Sequence, residues 1–196
     1  MMEEAIPVLR EDPVMERLIE THDPHTERDW SAYERLAVSI INQQLSTASA
    51  EAVRGRVFDL LDGEVVPETV LAADEQALRE AGLSGSKVAY LRNAARAFRR
   101  DDYTREALAD RSDEEVVELL TDITGIGEWT AQMYLIFVLK REDVLPLGDL
   151  AIRRGIEQLY GEGDGMTRAE MREVAEPWRP YRSVATRYIW AEYEAE

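Results

Sequence analysis

Residues 119–154 contain the groups in this chain that are best placed to do chemistry. An apolar turn ends in Gly125-Ile126-Gly127, and a helix is predicted to follow at once. Glycine has no Cβ, so the backbone can take positive φ there and come close to a partner. The amides at the start of a helix point outward with partial positive charge, which suits a phosphate. The pattern therefore indicates a phosphate-binding turn.

The same stretch also holds a lone acid, Asp149, directly before a helix predicted to begin at Leu150. An aspartate in this position commonly caps the helix by accepting hydrogen bonds from its first amides. A carboxylate in a site can also stabilise positive charge that develops on a substrate. The two interpretations are compatible, because a helix N-terminus favours the ionised carboxylate that such chemistry needs.

Four motifs, in this order along the chain, resemble those of the helix-hairpin-helix DNA glycosylase superfamily. The hairpin with its following Trp-Thr-Ala and Asp149 resembles the DNA-3-methyladenine glycosylase II branch. The other matching segments lie at residues 39–46, 82–87 and 178–190, so the resemblance covers roughly residues 31–190. Any one of these motifs is weak alone, whereas the ordered set is strong.

This resemblance implies an all-α, two-lobed fold with the active-site cleft between the lobes. Residues 1–196 would form a single glycosylase unit with its hairpin motif at about residues 113–140. The N- and C-terminal helices would form one lobe and the middle helices the other. The N-terminal β-rich domain of longer bacterial members is not expected.

The implied activity is that of a monofunctional glycosylase in base excision repair. It would flip an alkylated base of the 3-methyladenine type out of duplex DNA, release it by hydrolysis and leave an abasic site. The expected partner is double-stranded DNA containing damaged bases, and the expected state is a monomer. The sequence does not define the range of lesions or the salt optimum.

By the same resemblance, Asp149 would stabilise the oxocarbenium-like sugar and orient the attacking water. The aromatic base pocket of the family falls on Trp129, Met133 and Trp190. Met133 stands where the family has a tyrosine, which leaves base selectivity open. Aligning Ser46 with the serine of the family places the side chain that fills the space of the extruded base at Gln44, with Leu45 beside it. A polar helix–helix turn is the alternative for this corner.

The hairpin is implied to bind a DNA phosphate through Gly125, Gly127 and Thr130. In the family it also holds a monovalent cation, Na⁺ or K⁺, through backbone carbonyls. The matching residues are Thr121, Ile123 and Ile126. No other cofactor is expected to be required. Lys87 could be a further phosphate contact, although an exposed lysine is the simpler interpretation.

One departure from related enzymes concerns the mechanism. Glycosylases of this superfamily that also cut the strand use a lysine two residues after the second hairpin glycine. Here Trp129 holds that position, so no amine is available to form a Schiff base. The resemblance therefore implies simple hydrolysis.

Two other functions remain open. A non-catalytic helix-hairpin-helix module that only grips duplex backbone would explain the glycines, but it leaves Asp149, Gln43-Gln44 and Trp190 without a role. A glycosylase for adenine or for an oxidised base is the other alternative. It is disfavoured because the chain has no cysteine for a metal cluster and no lysine at position 129.

The charge of the chain has the opposite sign from that of most nucleic-acid binders. Forty acidic against 23 basic residues give a formal net charge of −17. A salt-loving host would explain this, because an acidic surface stays soluble there and charge repulsion is screened. A protein that never meets DNA is the alternative. Composition alone favours the alternative, and the hairpin stretch favours the first explanation.

Other bulk features limit the location and the metal chemistry. No apolar run is long enough to span a membrane, and the acidic N-terminus is unlike a signal peptide, so a cytoplasmic protein is expected. With zero cysteines, disulfides and thiolate-bound metal centres are excluded. His22 and His25 lie in a polar segment and are expected to be solvated.

Helical periodicity without period-2 alternation predicts an all-α fold. Helix starts are predicted at Asp12-Pro13, at Ser46 or Thr47, and at three capping boxes: Ser31/Glu34, Ser112/Glu115 and Thr167/Glu170. The helix after Ser46 is predicted to bury Val53, Val57, Leu60 and Leu61. Residues 101–103 are predicted to form a polar linker.

Overall fold

The structure is a computed structural model that describes residues 2–24, 30–161 and 165–195. Within these ranges the chain is helical and contains no strand, which confirms the predicted all-α fold. The helices are α1 (Met2–Leu9), α2 (Pro13–Thr21), α3 (Ala32–Asn42), α4 (Thr47–Leu60), α5 (Pro67–Ala72), α6 (Glu75–Glu80), α7 (Gly85–Arg100), α8 (Asp113–Thr121), α9 (Glu128–Phe137), α10 (Leu150–Tyr160), α11 (Arg168–Val174), a 3-10 turn (Glu176–Trp178) and α12 (Arg182–Ala195).

The predicted helix starts are confirmed by their caps. Capping boxes form at Ser31, Ser112 and Thr167, where each hydroxyl accepts the amide three residues on. Ser46 caps α4, and Oδ1 of Asp12 accepts two amides at the start of α2. Side chains that satisfy the first amides of a helix stabilise it by about 1 kcal/mol each.

Three local features differ from the sequence prediction. The helix α1 was not predicted, because Pro7 interrupts the short pattern in which Ala5 and Leu9 are buried. Leu60 is 40% exposed, since α4 ends there and Leu61 takes its place in the buried stripe. Tyr103 is not part of a polar linker: it is buried and stacks on Phe98 with ring centroids 4.6 Å apart.

The chain divides into two compact units. The first combines residues 1–28 with residues 140–196. Its helices α1, α2 and α10 pack against α12, and α11 packs against α10. Oδ2 of Asp12 accepts hydrogen bonds from Tyr160 and from the indole of Trp178, which ties the start of α2 to the rest of this unit. Its buried cluster contains Leu9, Met15, Leu18, Ile152, Ile156, Met171, Trp178, Val184, Ala185, Tyr188 and Ile189.

The second unit consists of residues 29–139. Helix α3 lies at its centre and packs against α4, α7 and α9, while α5 packs on α7 and α8 on α9. The hydroxyls of two buried tyrosines donate to backbone carbonyls, Tyr33 to Leu91 and Tyr134 to Tyr103. None of the helices in the described part of the chain is long and apolar enough to cross a membrane.

Candidate active site

The turn between α8 and α9 in the second unit is built around Gly125. The amide of Ile126 donates to the carbonyl of Ile123 at 2.9 Å and closes the turn. Gly125 has φ of +105°, and a Cβ placed there would lie 2.1 Å from the ring of Tyr90. Both the conformation and the space therefore require glycine at this position.

Gly127 has a different backbone conformation from the predicted one. Its φ is −99°, so the predicted positive φ is wrong at this position. A Cβ there would meet no atom within 4 Å, so the backbone of Gly127 is open to an approaching partner. The first hydrogen bond of α9 runs from Ala131 to the carbonyl of Gly127, and the preceding amides of the first turn have no acceptor within the helix. Such a helix start suits an anion.

The hydroxyl of Thr130 is not available to a phosphate, contrary to prediction. Thr130 is 1% exposed, and its Oγ1 accepts a hydrogen bond from Nε2 of Gln43 at 3.0 Å. The residue is the third of α9, and its side chain faces the interior of the unit. A phosphate contact at this position is therefore corrected to an internal contact with Gln43.

The corner between α3 and α4 is exposed, as its predicted role requires. Gln44 and Leu45 both lie on the surface, and Leu45 is 38% exposed. Gln44 has φ of +57°, and the amide of Leu45 donates to the carbonyl of Asn42 at 3.2 Å. The corner is thus a tight turn that presents two side chains. Their entry into a duplex stays a prediction.

Gln43, the residue before this pair, lies inward. Its Nε2 donates to the carbonyl of Gly125 at 3.1 Å as well as to Thr130. The sequence alone indicates Gln43 only as part of the exposed corner. Its partners are 82 and 87 residues away along the chain, so no local pattern identifies these contacts.

The predicted pocket residues on α9 differ in exposure. Trp129 is half-buried at the mouth of the helix, whereas Met133, one turn later, is 4% exposed. An aromatic ring with accessible surface can receive a base, and a side chain with almost none cannot do so without movement of its neighbours. The structure therefore gives more support to Trp129 than to Met133.

The carboxylate of Asp149 lies at the start of α10 in the first unit. Its Oδ1 accepts the amide of Ile152 at 3.1 Å and the indole Nε1–H of Trp190 at 3.3 Å. Asp149 is half-buried, so it keeps an accessible surface. The cap predicted from the sequence is confirmed. The catalytic role of Asp149 stays a prediction, and the capping hydrogen bond is compatible with it.

Trp190 lies on α12 and has two environments. One part of its ring packs against the buried cluster of the first unit, and the residue as a whole remains half-buried rather than buried. The indole nitrogen reaches Asp149. Trp190 can therefore be a core residue and a pocket residue at once, because the same ring can pack on one side and meet a ligand on the other.

Arg153 holds the loop that carries Asp149. Its Nη1 donates to the carbonyls of Leu147, Gly148 and Asp149 at 2.9, 3.0 and 3.3 Å. Arg153 is not among the site residues predicted from the sequence. The sequence signal for it is its position four residues after the capping aspartate, because residues four apart lie on the same face of a helix.

Lys87 is not a freely exposed lysine in this structure, and its contact with a phosphate stays a prediction. Its Nζ donates to the carbonyl of Ile41 at 2.7 Å near the end of α3. Partial burial lowers the pKa of Lys87 from its ordinary value. The ammonium group therefore supports the helix that leads into the exposed corner.

His22 is not solvated, contrary to prediction, and His25 lies outside the described residues. The side chain of His22 is 13% exposed, with Nε2 2.5 Å from a carboxylate oxygen of Glu192. Among the residues that the structure describes, no group of three or more histidine, aspartate or glutamate side chains is arranged to hold a metal ion.

Comparison with known proteins identifies the family. The protein-family model described as "HhH-GPD superfamily base excision DNA repair protein" matches residues 37–180 of this chain. The chain is 35% identical over 161 residues to DNA-3-methyladenine glycosylase 1 of Schizosaccharomyces pombe, a match that covers 81% of this chain and 71% of the relative. It is 35% identical over 176 residues to the DNA-3-methyladenine glycosylase of Saccharomyces cerevisiae, covering 85% of this chain and 59% of the relative. The chain thus matches only part of the length of each relative.

A solved structure extends the likeness to the fold. The 3-methyladenine DNA glycosylase of Schizosaccharomyces pombe in complex with abasic DNA superposes with a TM-score of 0.85 at 32% identity, over 95% of each chain. The resemblance inferred from the four sequence motifs is confirmed. The chain belongs to the HhH-GPD superfamily of base excision DNA repair proteins, in the branch of the DNA-3-methyladenine glycosylases.

Proposed function

We propose that this protein is a monofunctional DNA glycosylase that hydrolyses the bond between deoxyribose and an alkylated base of the 3-methyladenine type. The observation that carries the proposal is the environment of Asp149. Its half-buried carboxylate is held at a helix start by the amide of Ile152 and the indole of Trp190. An oriented anion of this kind suits a reaction in which positive charge develops.

The proposed reaction begins with a base rotated out of the duplex, since the bond to the sugar is not accessible inside the stack. The bond from C1′ to the base nitrogen breaks, and the bonding electron pair leaves with the base. The carboxylate of Asp149 stabilises the resulting oxocarbenium-like sugar. Water then adds to C1′ and gives up a proton, which leaves an abasic site.

Bases alkylated at a ring nitrogen suit this limited machinery. Such a base is already cationic, so it becomes neutral when it takes the electron pair, and little acid catalysis is needed. A cationic base is also attracted to the electron-rich face of an aromatic ring. The half-buried rings of Trp129 and Trp190 are the proposed contacts for the base, and Met133 would contribute only after its neighbours move.

The hairpin and the corner are the proposed DNA contacts. The open backbone of Gly127 and the start of α9 would bind a phosphate, with Gly125 shaping the turn. Gln44 or Leu45 would fill the space of the extruded base. Both are exposed at a tight turn.

A monovalent cation at the hairpin fits the donor chemistry of the residues present. Thr121, Ile123 and Ile126 would offer backbone carbonyl oxygens, which are neutral, hard donors suited to Na⁺ or K⁺. The carbonyl of Ile123 accepts the amide of Ile126 and keeps a second lone pair for a cation. The ion would supply positive charge next to a DNA phosphate.

The proposal excludes strand cleavage through a Schiff base. Trp129 holds the position of the lyase lysine, and the chain has only two lysines, Lys87 and Lys140. We expect no covalent adduct when the protein is incubated with lesion-containing duplex and borohydride. An adduct that disappears in Lys87→Arg or Lys140→Arg would show that one of these amines attacks the sugar.

Base release by the wild-type protein and Asp149→Asn tests the central proposal. Single-lesion duplexes are incubated with enzyme and then with alkali, which cleaves at abasic sites. We expect the wild-type protein to act on alkylated bases and Asp149→Asn to retain less than about a tenth of its rate, a loss of at least ~1.4 kcal/mol of transition-state stabilisation.

Binding distinguishes a catalytic loss from a folding loss in this test. The variant is isosteric, so it should still bind a duplex with an abasic-site analogue about as well as the wild-type protein. A variant that keeps more than a tenth of the rate contradicts the role of Asp149. A wild-type protein that binds duplex but releases no base would instead indicate a non-catalytic module.

A further inference from the structure

We propose that Gln43 is a positioning residue that couples the exposed corner, residues 42–45, to the hairpin at Gly125. In this arrangement the hairpin, when it grips a phosphate, holds the corner at the place where Gln44 and Leu45 enter the duplex. The inference rests on the proposed glycosylase function, since only an enzyme that extrudes a base needs such coupling.

The two contacts of Gln43 define one orientation of its amide. Nε2 donates to the carbonyl of Gly125 at 3.1 Å and to Oγ1 of Thr130 at 3.0 Å, so both of its N–H groups are used. One acceptor lies in the hairpin and the other in the helix that follows. The corner is therefore attached to both parts of the phosphate-binding turn.

The corner itself needs external support. Gln44 has φ of +57°, a left-handed conformation that residues with a Cβ rarely adopt and that persists only when the surroundings enforce it. On one side, Nζ of Lys87 holds the carbonyl of Ile41 at the end of α3. On the other side, Nε2 of Gln43 donates to the carbonyl of Gly125 in the hairpin.

The hairpin is supported from the same helix as the corner. On α7, the ring of Tyr90 fills the space beside Gly125, and Nδ2 of Asn93 donates to the carbonyl of Thr124 at 3.2 Å. Lys87, Tyr90 and Asn93 follow at three-residue spacing and so lie along one side of α7. Helix α7 therefore supports each turn separately, and Gln43 is the direct link between them.

This linkage has a consequence for base extrusion. Insertion of a side chain opposes the stacking and pairing of the duplex, so the corner must push against a fixed point. The phosphate grip of the hairpin provides that point only if the corner is held to it. Without Gln43 the hairpin would still bind DNA while the corner relaxed, and extrusion would become rarer.

The test compares Gln43→Ala with Gln76→Ala on two substrates. Gln76 is exposed on α6, and its side chain bonds only to Glu80 among the contacts the structure shows, so it controls for loss of a glutamine amide. One substrate carries an alkylated base in a fully paired duplex. The other carries the same base in an unpaired bulge, where little opening is required.

We expect single-turnover release by Gln43→Ala to fall about tenfold or more on the paired substrate and less than about threefold on the bulge. Binding to undamaged duplex should change less than about twofold, because phosphate contacts dominate it. Gln76→Ala should match the wild-type protein on both substrates. Equal losses on the two substrates, or no loss on either, would overturn the coupling.

Thermal unfolding would reveal a folding defect in Gln43→Ala. A second variant tests the coupling in that case. Thr130→Val keeps the shape of the side chain and removes one acceptor of Gln43. It should show the same preference for the bulge, and the double variant should lose less than the product of the two single effects. Independent effects would overturn the coupling. A wild-type protein without release on either substrate would overturn the proposed function and the coupling with it.

Discussion

Trp190 donates its indole Nε1–H to Oδ1 of Asp149 at 3.3 Å, and the same oxygen accepts the amide that starts α10. The carboxylate proposed to stabilise the sugar is therefore oriented by the ring proposed to contact the base. In the proposed reaction, this one hydrogen bond would link the base contact to the carboxylate within the first unit.

Substitutions of Trp190 should separate these two roles. Trp190→Phe keeps an aromatic face and removes the N–H, so release of every substrate should fall by a similar factor, about tenfold, as expected for one hydrogen bond to a charged group. Trp190→Ala also removes the face, and cationic bases should lose a further ~1–3 kcal/mol of stacking. Single-turnover rates on a cationic and a neutral damaged base measure the difference.

Thermal unfolding is the control for Trp190, because part of its ring packs in the buried cluster. Both variants should bind undamaged duplex as the wild-type protein does. If stability collapses while the remaining folded enzyme releases bases at the normal rate, Trp190 is a packing residue and the base contacts lie elsewhere.

Arg153 should control the chemical step through the loop that it holds. Loss of its guanidinium frees the carbonyls of Leu147, Gly148 and Asp149, so the carboxylate becomes poorly placed. Since a displacement of about 1 Å can lower a rate by about a hundredfold, we expect Arg153→Ala to lose between tenfold and a hundredfold in single-turnover rate.

The neighbouring Arg154 provides the matched control, because it is exposed on the same helix. Arg154→Ala removes the same charge and should change the rate by less than about threefold. Affinity for a duplex with an abasic analogue should be similar in both variants. If Arg153→Ala loses affinity but keeps its rate when saturated, it binds DNA rather than positioning Asp149.

The two hairpin glycines should respond differently to alanine. Gly125→Ala places a Cβ 2.1 Å from Tyr90 at a φ of +105°, so we expect a loss of ~2 kcal/mol or more in unfolding free energy. Gly127→Ala has an ordinary φ and free space, so its stability should stay within ~1 kcal/mol of the wild-type value.

In Gly127→Ala, DNA binding should fall independently of stability. The added methyl of Gly127→Ala lies where a phosphate would approach the backbone, so affinity for duplex should fall even though thermal stability does not. Denaturant unfolding and a binding titration on the same samples measure both quantities. Unchanged affinity in Gly127→Ala would place the phosphate contact elsewhere.

The elements of this fold were predictable from sequence because their signals are local. A capping box such as Ser31 with Glu34 spans four residues, and the apolar stripe of α3 spans three turns. Both depend on neighbours that the sequence shows directly. Helix α1 lacks such a signal, because Pro7 in its interior argues against a helix. Tertiary packing, which buries Ala5 and Leu9, overrides that local preference.

The contacts that shape the candidate site were less predictable because they join distant segments. Asp149 was found through its place before a helix, but its partner Trp190 is 41 residues away. Gln43 lies in a surface turn and Lys87 in the first turn of α7, where exposure of a polar side chain is the usual outcome. Only the packing of α3, α7 and α9 brings acceptors to them. Thr130 was misassigned for the same reason, because its exposure depends on that packing.

Salt should affect this protein differently from an ordinary DNA-binding enzyme. A formal net charge of −17 repels duplex DNA, and at 1 M salt this repulsion is screened beyond about 3 Å. Ordinary DNA binders lose orders of magnitude in affinity as salt rises, because phosphate contacts release counterions. Here the reduced repulsion opposes that loss, so base release should persist or increase at molar potassium chloride.

Rates and abasic-duplex affinities measured from low to molar salt test this, with thermal unfolding at each concentration as the control. A steep loss of affinity above about 0.2 M, with the fold intact, would show that local phosphate contacts outweigh the net charge.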